Sequence, residues 1–578
     1  MSHSPHHVRA PSARASALIF VLGMGAVGTA LAQSWPFAGA DLNNSHSQRL
    51  ETQISPSTAP NLKLHWQFAT AGDVTAIPAV VGGAVYFPDT GGFIYKVDAS
   101  SGQLIWKQSV PAITGVPGDY ARATPAIFGN TLIIGSQSGR FYNPQNGITN
   151  TQARVLALDT GSGKLLWQTV VDSTPQSYVT TSAAIAPGNS KSLAILGVAS
   201  NEELTAAFYP PSLWQWQFRG SAVALNVATG AIVWQTYTVP QGYFGAAIWG
   251  STPAIDLSTN TVFVGTGDTY MAPPSVLNCM RLGGGVGCLD PNDHADSIMA
   301  LDLHYGNVRW ARRGYPVDVW SVACGLAIPP FNFFLEAGIP GPYPTYGIAG
   351  NCPDPTGNAN PNLVGPDYDF AQGPMLFGNG LVGAGEKSGV FSTFTEQGGH
   401  PAWATQVSPG GVTGGMQWGS ATDGKTIFTS ASNAGPSLNG GGAGASPWPQ
   451  YQNGVATGEA PAVGGWAAVD AQTGAIKWTT PVPNPYNLPT YYGIRAEGPV
   501  TLANGVVFGC DMTGTYRALD ARTGAVIWSA PLAVLTQGAS QGNSCIAGAA
   551  IVNGMVYWGS GDGRNNASAA KALFAFGL

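Results

Sequence analysis

The stretch "ALDARTGAVIW", Ala518 to Trp528, reads as a strand ending at Asp520, a turn carrying Thr523 and Gly524, and a second strand closing on Trp528. An Asp before such a turn can bond the turn's backbone, and a Gly accepts the positive φ that closes it. The phrase recurs. "KVDASSGQLIW" ends at Trp106, "ALDTGSGKLLW" at Trp167, "ALNVATGAIVW" at Trp234, "ALDLHYGNVRW" at Trp310 and "AVDAQTGAIKW" at Trp478. A degenerate copy, "FSTFTEQGGHPAW", ends at Trp403, and "NLKLHWQF" keeps only the final strand, with Trp66, which makes eight units.

A hairpin cannot bury its own faces, so self-similar units of this kind stack on one another. About four strands per unit is the mark of a β-propeller. The expected fold is therefore all-β, an eight-bladed propeller in which each tryptophan wedges between blades. Burying one tryptophan removes roughly 150–250 Å², an upper bound of about 4–6 kcal/mol per blade contact. The truncated first copy implies how the ring closes: "NLKLHWQF" should join the C-terminal "GMVYWGS" and "KALFAFGL" in one blade, removing the exposed edges. Spacing between tryptophans is uneven, and the excess falls in loops. These are "AAFYPPSLWQWQF" around Trp214, "MAPPSVLNCMRLGGGVGCLDPNDHA", the Pro-rich stretch from Pro329 to Pro366, and the Gly/Ser/Pro run from Asn433 to Glu459. Long loops in a compact fold commonly carry function.

Composition agrees with many tight turns: the 578 residues include 78 Gly and 43 Pro, and only 9% are charged. A net charge of −6 leaves no basic footprint for nucleic acid and no polybasic membrane patch. Arg9 and Arg14 precede an apolar run from Ala15 to about Gly28, and Ala30, Leu31 and Ala32 supply a small-x-small cleavage site. Residues 1–32 thus read as a signal peptide and 33–578 as the propeller domain, exported to the periplasm or beyond, with no transmembrane segment in the mature chain. Six cysteines in an exported chain point to disulfides. Proximity suggests Cys279 with Cys288, Cys324 with Cys352 and Cys510 with Cys545, although six cysteines allow 15 connectivities. No C-x-x-C-H motif is present for covalent haem.

A repeat of the form A-x-D-x-x-T-G-x-x-x-W in eight units resembles the pyrroloquinoline quinone (PQQ) dehydrogenases. The opening "WPFAGADLNNSHSQ" with "GDVTAIPAVVGGAVYFPDTGGFIYKVDASSG" is most similar to the polyvinyl alcohol dehydrogenase group. The resemblance implies a calcium ion, a hard cation wanting oxygen ligands, held by Glu202 (with Glu203 as the adjacent alternative) and by Asp268, which stands after "VFVGTG" where the family has Asn. It implies that Trp249 forms the floor beneath PQQ. It also implies that Lys387 in "GAGEKSGVFSTF" contacts the quinone oxygens, and that Thr181 and Arg122 contact the PQQ carboxylates. A cation at Lys387 would stabilise charge developing on the quinone.

The sequence departs from that pattern twice. The adjacent-cysteine disulfide that covers the quinone in many members is missing, its place being taken by Ala123 and Thr124. Ser321, not Asp, follows Trp320, so the expected general base is Asp318, with Glu202 as a substitute. The expected function is an exported dehydrogenase that takes hydride from a secondary alcohol, including repeats of polyvinyl alcohol, to calcium-bound PQQ. Electrons would then pass to an external acceptor such as a cytochrome c. The alternative is a non-catalytic propeller that binds proteins through its loops.

Overall fold

The recurring phrase builds eight four-stranded antiparallel sheets arranged as the blades of a propeller. The structure is a computed structural model. It describes residues 33–138, 152–208, 214–250, 252–321, 365–411, 414–432, 448–460, 464–483, 495–535, 544–561 and 570–578, and Gln33–Leu578 form one unit of mutual contacts. The leader read at residues 1–32 lies outside the described residues. Blade one opens with Ala79–Val81, and blades two to eight open with Ala126–Phe128, Ala184–Ala186, Ala254–Asp256, Met375–Leu376, Ala421–Thr422, Thr501–Ala503 and Ala549–Val552. Blade eight is completed by Met555–Gly559, Ala572–Gly577 and, from the other end of the chain, Lys63–Ala69, whose Trp66 pairs with Ala575. The ring closes as the truncated first repeat required.

Each tryptophan of the phrase is tied to the next blade by a hydrogen bond. Trp106 Nε1 donates to Thr160 O at 3.1 Å, Trp234 to Leu303 O at 2.9 Å, Trp478 to Ala521 O at 2.9 Å, and Trp528 closes the circle on Leu62 O at 3.0 Å. In every case but the last the acceptor follows the residue that opens the neighbour's turn. In that turn Asp520 Oδ1 accepts from the N–H groups of Arg522 and Thr523, both at 2.9 Å. Gly524 has φ +74°, and a Cβ there would meet the Trp478 ring at 2.6 Å. The glycine is needed twice over, for its backbone conformation and for the indole lying on it. The phrase therefore repeats because each blade's turn is the seat of the previous blade's tryptophan. Trp106, Trp234, Trp310 and Trp478 are buried, whereas Trp66, Trp167, Trp403 and Trp528 are half-buried, so the wedges differ in worth.

Disulfides join Cys279 to Cys288 and Cys510 to Cys545, as proximity suggested. Cys324 and Cys352, with most of the Pro-rich insertion, lie outside the described residues. The first disulfide staples an insertion containing the helix Pro274–Arg281. Among the described residues no helix is long and apolar enough to cross a membrane.

Candidate functional site

Side chains on one face of the ring come from two places in each blade: just before its first strand, and just after its second. Trp249, Asp369 and Trp418 occupy the first kind of position; Glu203, Asp268 and Lys387 occupy the second. All of these but Trp418 bound a cavity of about 140 Å³, lined by Tyr178, Glu203, Trp249, Asp268, Asp369 and Lys387, among others.

Lys387 is the cation of this cavity. Its Nζ lies 2.7 Å from Asp367 Oδ1, 2.7 Å from Asp369 Oδ2 and 5.3 Å from the centroid of the Trp249 ring. Burial disfavours its charge, but Asp367 and Asp369 outweigh that and hold the ammonium well above the usual lysine range. Asp369 Oδ1 accepts from the Asp268 N–H at 2.7 Å, and Oδ2 accepts from Trp249 Nε1 at 3.0 Å. Burial pushes its carboxyl up, yet Lys387 and the Asp268 N–H prevail and keep it below the ordinary value, so it is ionised at neutral pH. A Cβ at Gly267 would lie 2.6 Å from Asp369 Oδ1, so the glycine before Asp268 permits this close approach.

Asp268 differs sharply. It is 2% exposed, its Oδ2 has no hydrogen-bond partner, and burial followed by Asp369 raises its carboxyl well above the carboxylate range. Oxygens of Asp268, Asp367 and Asp369 lie within 4.8 Å of one another. With Glu203 this gathers four carboxylates around one ammonium. An orphaned buried oxygen in such a set fits a hard divalent cation, which takes oxygen ligands and compensates the charge.

The structure brings Trp249, Asp268 and Lys387 together as expected from the sequence. Glu202 is elsewhere: its Oε1 accepts from Gln217 N at 2.6 Å and Oε2 from Phe218 N at 2.9 Å, so both oxygens bind the chain's own backbone. Burial raises it to about 8. It is Glu203 that lines the cavity. Asp318, the residue expected to act as base, does not line this cavity either. It is 1% exposed and absent from the cavity wall; its oxygens accept from Asp367 N at 3.2 Å and Tyr368 N at 2.6 Å. Asp318 thus shapes the turn that presents Asp369. The physical reason is the insertion after Ser321, which separates Trp320 from the carboxylate that reaches the cavity. Asp369 was missed because "DYDF" lies beyond that insertion. Its signal was positional, since it precedes a blade's first strand as Trp249 does.

Arg122 and Thr181 line a second, axial cavity of about 60 Å³. The Arg122 guanidinium sits 4.7 Å from the Trp418 ring centroid, and Trp418 meets Trp249 edge-on at 5.1 Å, so the two cavities adjoin through this tryptophan pair. Thr181 Oγ1 both donates to Gly197 O at 3.1 Å and accepts from Gly197 N at 2.9 Å, which fixes it to blade three.

Comparison with known proteins agrees with this architecture. The family model PQQ_2, described as outer membrane protein assembly factor BamB, matches residues 63–274 and 386–570. The chain is 26% identical over 423 residues to a polyvinylalcohol dehydrogenase of Sphingopyxis sp. (strain 113P3), covering 70% of this chain and 55% of that protein. It is 25% identical over 321 residues to a quinohemoprotein alcohol dehydrogenase of Comamonas testosteroni, covering 50% and 40% respectively. The chain spans about half the length of the curated relatives it matches. The crystal structure of the Comamonas testosteroni quinohemoprotein alcohol dehydrogenase superposes with a TM-score of 0.61 at 18% identity, covering 94% of this chain and 80% of that one.

Proposed function

The chain belongs to the PQQ_2 propeller family, and from that membership we propose that it is an exported quinoprotein dehydrogenase acting on secondary alcohol groups, polyvinyl alcohol among them. The observation that carries the reading is the joining of Lys387, Asp369 and Trp249 beside the orphaned Asp268 oxygen. Two of the named relatives are alcohol dehydrogenases, one of them a polyvinylalcohol dehydrogenase. Asp268 and Glu203 are the residues we assign to calcium; Trp249, Lys387 and Arg122 are those we assign to PQQ.

When bound, PQQ supplies an ortho-quinone that accepts hydride, and calcium supplies the charge that polarises its carbonyl. The chain's own contribution centres on Asp369. Oδ2 is occupied by Lys387 and Trp249, whereas Oδ1, which accepts the Asp268 N–H, is the oxygen we assign to the alcohol proton. Lys387 keeps that carboxylate ionised and offers positive charge at the edge of the Trp249 face. Asp318 holds the turn, so the base is fixed before substrate arrives. We assign the onward electrons to an external acceptor such as a cytochrome c.

Reconstitution of the mature chain with PQQ and calcium, followed by dye reduction with 2-propanol, a short diol and polyvinyl alcohol, tests the proposal. Activity is expected to require both cofactors and to be lost in Asp369→Asn. Unchanged PQQ absorbance and melting temperature on mixing would overturn it and favour the protein-binding propeller that the family model's description suggests.

A further inference from the structure

Tyr270 also lines the cavity that holds Lys387 and Asp369, and the chemistry above gives it no part. It stands in the short strand Thr269–Met271, just beyond Asp268, and this strand runs antiparallel to Phe244–Gly245. Phe244 opposes Met271 and Gly245 opposes Thr269, so Tyr270 is the extra residue of a β-bulge. A bulge re-aims the side chain it carries, and here it brings a phenol to the cavity wall. On its other side the strand is fixed by Trp320 N, which donates to Thr269 O at 2.9 Å.

The ring is held by packing. Trp216 lies 5.8 Å away and Phe218 stacks at 6.5 Å between centroids, and both belong to the segment that Glu202 pins through Gln217 N and Phe218 N. Gly245, at φ +100°, passes so near that a Cβ there would meet Tyr270 Cγ at 2.8 Å. Tyr270 is 4% exposed, yet its hydroxyl makes no hydrogen bond to any described residue. A phenol both donates and accepts, and leaving one unpaired once water is expelled is costly.

We propose that Tyr270 selects for a second hydroxyl on the substrate, two carbons from the one oxidised, so that the site prefers 1,3-diols and chains built from them to simple secondary alcohols. Lys387, Asp367 and Asp369 are taken up with one another. Tyr270 instead offers a neutral hydroxyl, in a wall that also includes Trp249 and Ala247, which suits alternating methylene and carbinol carbons. With the reacting hydroxyl at Asp369 Oδ1, the next one along the chain pairs with the phenol. A monoalcohol of the same length fills the same space and leaves the phenol unpaired, and a site built to bond a hydroxyl rejects the analogue lacking it. This selection rests on the reading of the cavity as the place where an alcohol is oxidised, and it narrows the substrate class.

The test compares 2,4-pentanediol with 2-pentanol, which differ only in the second hydroxyl, on the full mature chain loaded with PQQ and calcium. Per reactive hydroxyl, kcat/KM of the unaltered chain should favour the diol by about tenfold or more, and Tyr270→Phe, which keeps the ring, should bring the ratio to within about twofold of unity. Tyr178→Phe, at the other phenol of the cavity wall, should keep the preference. Calorimetric titration of the calcium-loaded chain with both alcohols gives a second readout that needs no turnover. Diol binding that depends on Tyr270, without oxidation of either alcohol, would sink the quinone reading and leave the selection standing. Oxidation of both alcohols with a preference unchanged in Tyr270→Phe, or lost only in Tyr178→Phe, would overturn the selection and leave the quinone reading. Equal treatment of the two alcohols by the unaltered chain would overturn the selection whatever the variants' folding.

Discussion

Lys387 Nζ and Asp369 Oδ2 stand 2.7 Å apart, both buried, and the pair lies against the Trp249 indole. A second carboxylate, Asp367, shares the same ammonium at 2.7 Å. One lysine therefore neutralises only part of the local charge while fixing which oxygen of Asp369 is left for chemistry. Removing Lys387 leaves two buried carboxylates without their cation, which is far more costly than losing a surface pair, whereas removing Asp369 leaves the ammonium paired with Asp367.

If Asp369 is the base, Asp369→Asn should lower kcat by about 10²–10⁴-fold, the usual worth of general base catalysis, with PQQ binding retained. Asp318→Asn should act differently. Its oxygens serve backbone N–H groups, so the expected result is a smaller fall in kcat with a lower melting temperature. Steady-state kinetics beside a melting curve for each variant separates the roles. Equal kcat losses with unequal stability would reverse the assignment.

Adjacent glutamates should separate in the same manner. Glu203→Gln is expected to abolish most of the stabilisation that calcium gives, because it removes a carboxylate from the cavity wall. Glu202→Gln exchanges an acceptor for a donor opposite Gln217 N or Phe218 N and should destabilise by about 1–3 kcal/mol with or without calcium. Thermal melts across a calcium titration distinguish the two. A calcium response lost in Glu202→Gln and kept in Glu203→Gln would restore the assignment first drawn from sequence.

The blades were legible because each repeat states its own local physics: an Asp or Asn for the turn, a Gly under the ring, a Trp for the next blade. Ring closure was legible from the missing strands before Trp66. Trp249, Asp268 and Lys387 were legible since each lies close to a repeat strand, where spacing is conserved by the fold itself. Glu202 and Glu203 were not separable, because sequence does not say which of two neighbours points inward at the start of the short helix Glu202–Phe208. Asp369 was hidden by the insertion between Ser321 and the next blade. The placement of Tyr270 was beyond reach as well, as it comes from a bulge against Phe244–Gly245.

Glu386 gives a pH signature independent of activity. Burial raises its carboxyl to about 8 against an ordinary 4.5, opposed by the Ser388 hydroxyl and the Tyr315 N–H at 3.0 Å. Between those values the folded chain holds a proton that the unfolded chain has released. Stability therefore falls as pH rises through this window. Glu386→Gln mimics the protonated form and removes the titration, so its stability relative to the unaltered chain should grow from pH 5 to pH 8.5 by up to about 4 kcal/mol. Denaturant unfolding of the metal-free proteins at the two pH values measures the difference. A difference that does not change with pH would mean that Glu386 is ionised throughout.

The wedges should fail in proportion to their burial. Trp478 is 2% exposed and packs on Phe428 with ring centroids 6.1 Å apart, whereas Trp528 is half-buried, meets Phe576 edge-on at 5.2 Å, and closes the ring on Leu62. Trp478→Ala should cost about 3–5 kcal/mol and Trp528→Ala about 2–4 kcal/mol, as large-to-small changes that also orphan a carbonyl of the next blade. Neither side chain lines the cavities, so the kcat of the folded fraction should stay within about twofold of the unaltered chain, small against the loss of stability. The two sites differ in consequence as well. Trp478 joins blades that are consecutive in the chain, but Trp528 joins blade seven to the segment leading into the strand that completes blade eight. Trp528→Ala should therefore expose Lys63–Ala69 to proteolysis before global unfolding, while Trp478→Ala should not. Limited proteolysis with mass-spectrometric mapping checks this, and identical first cleavage sites in both variants would show that the closing blade is held by its strand pairing alone.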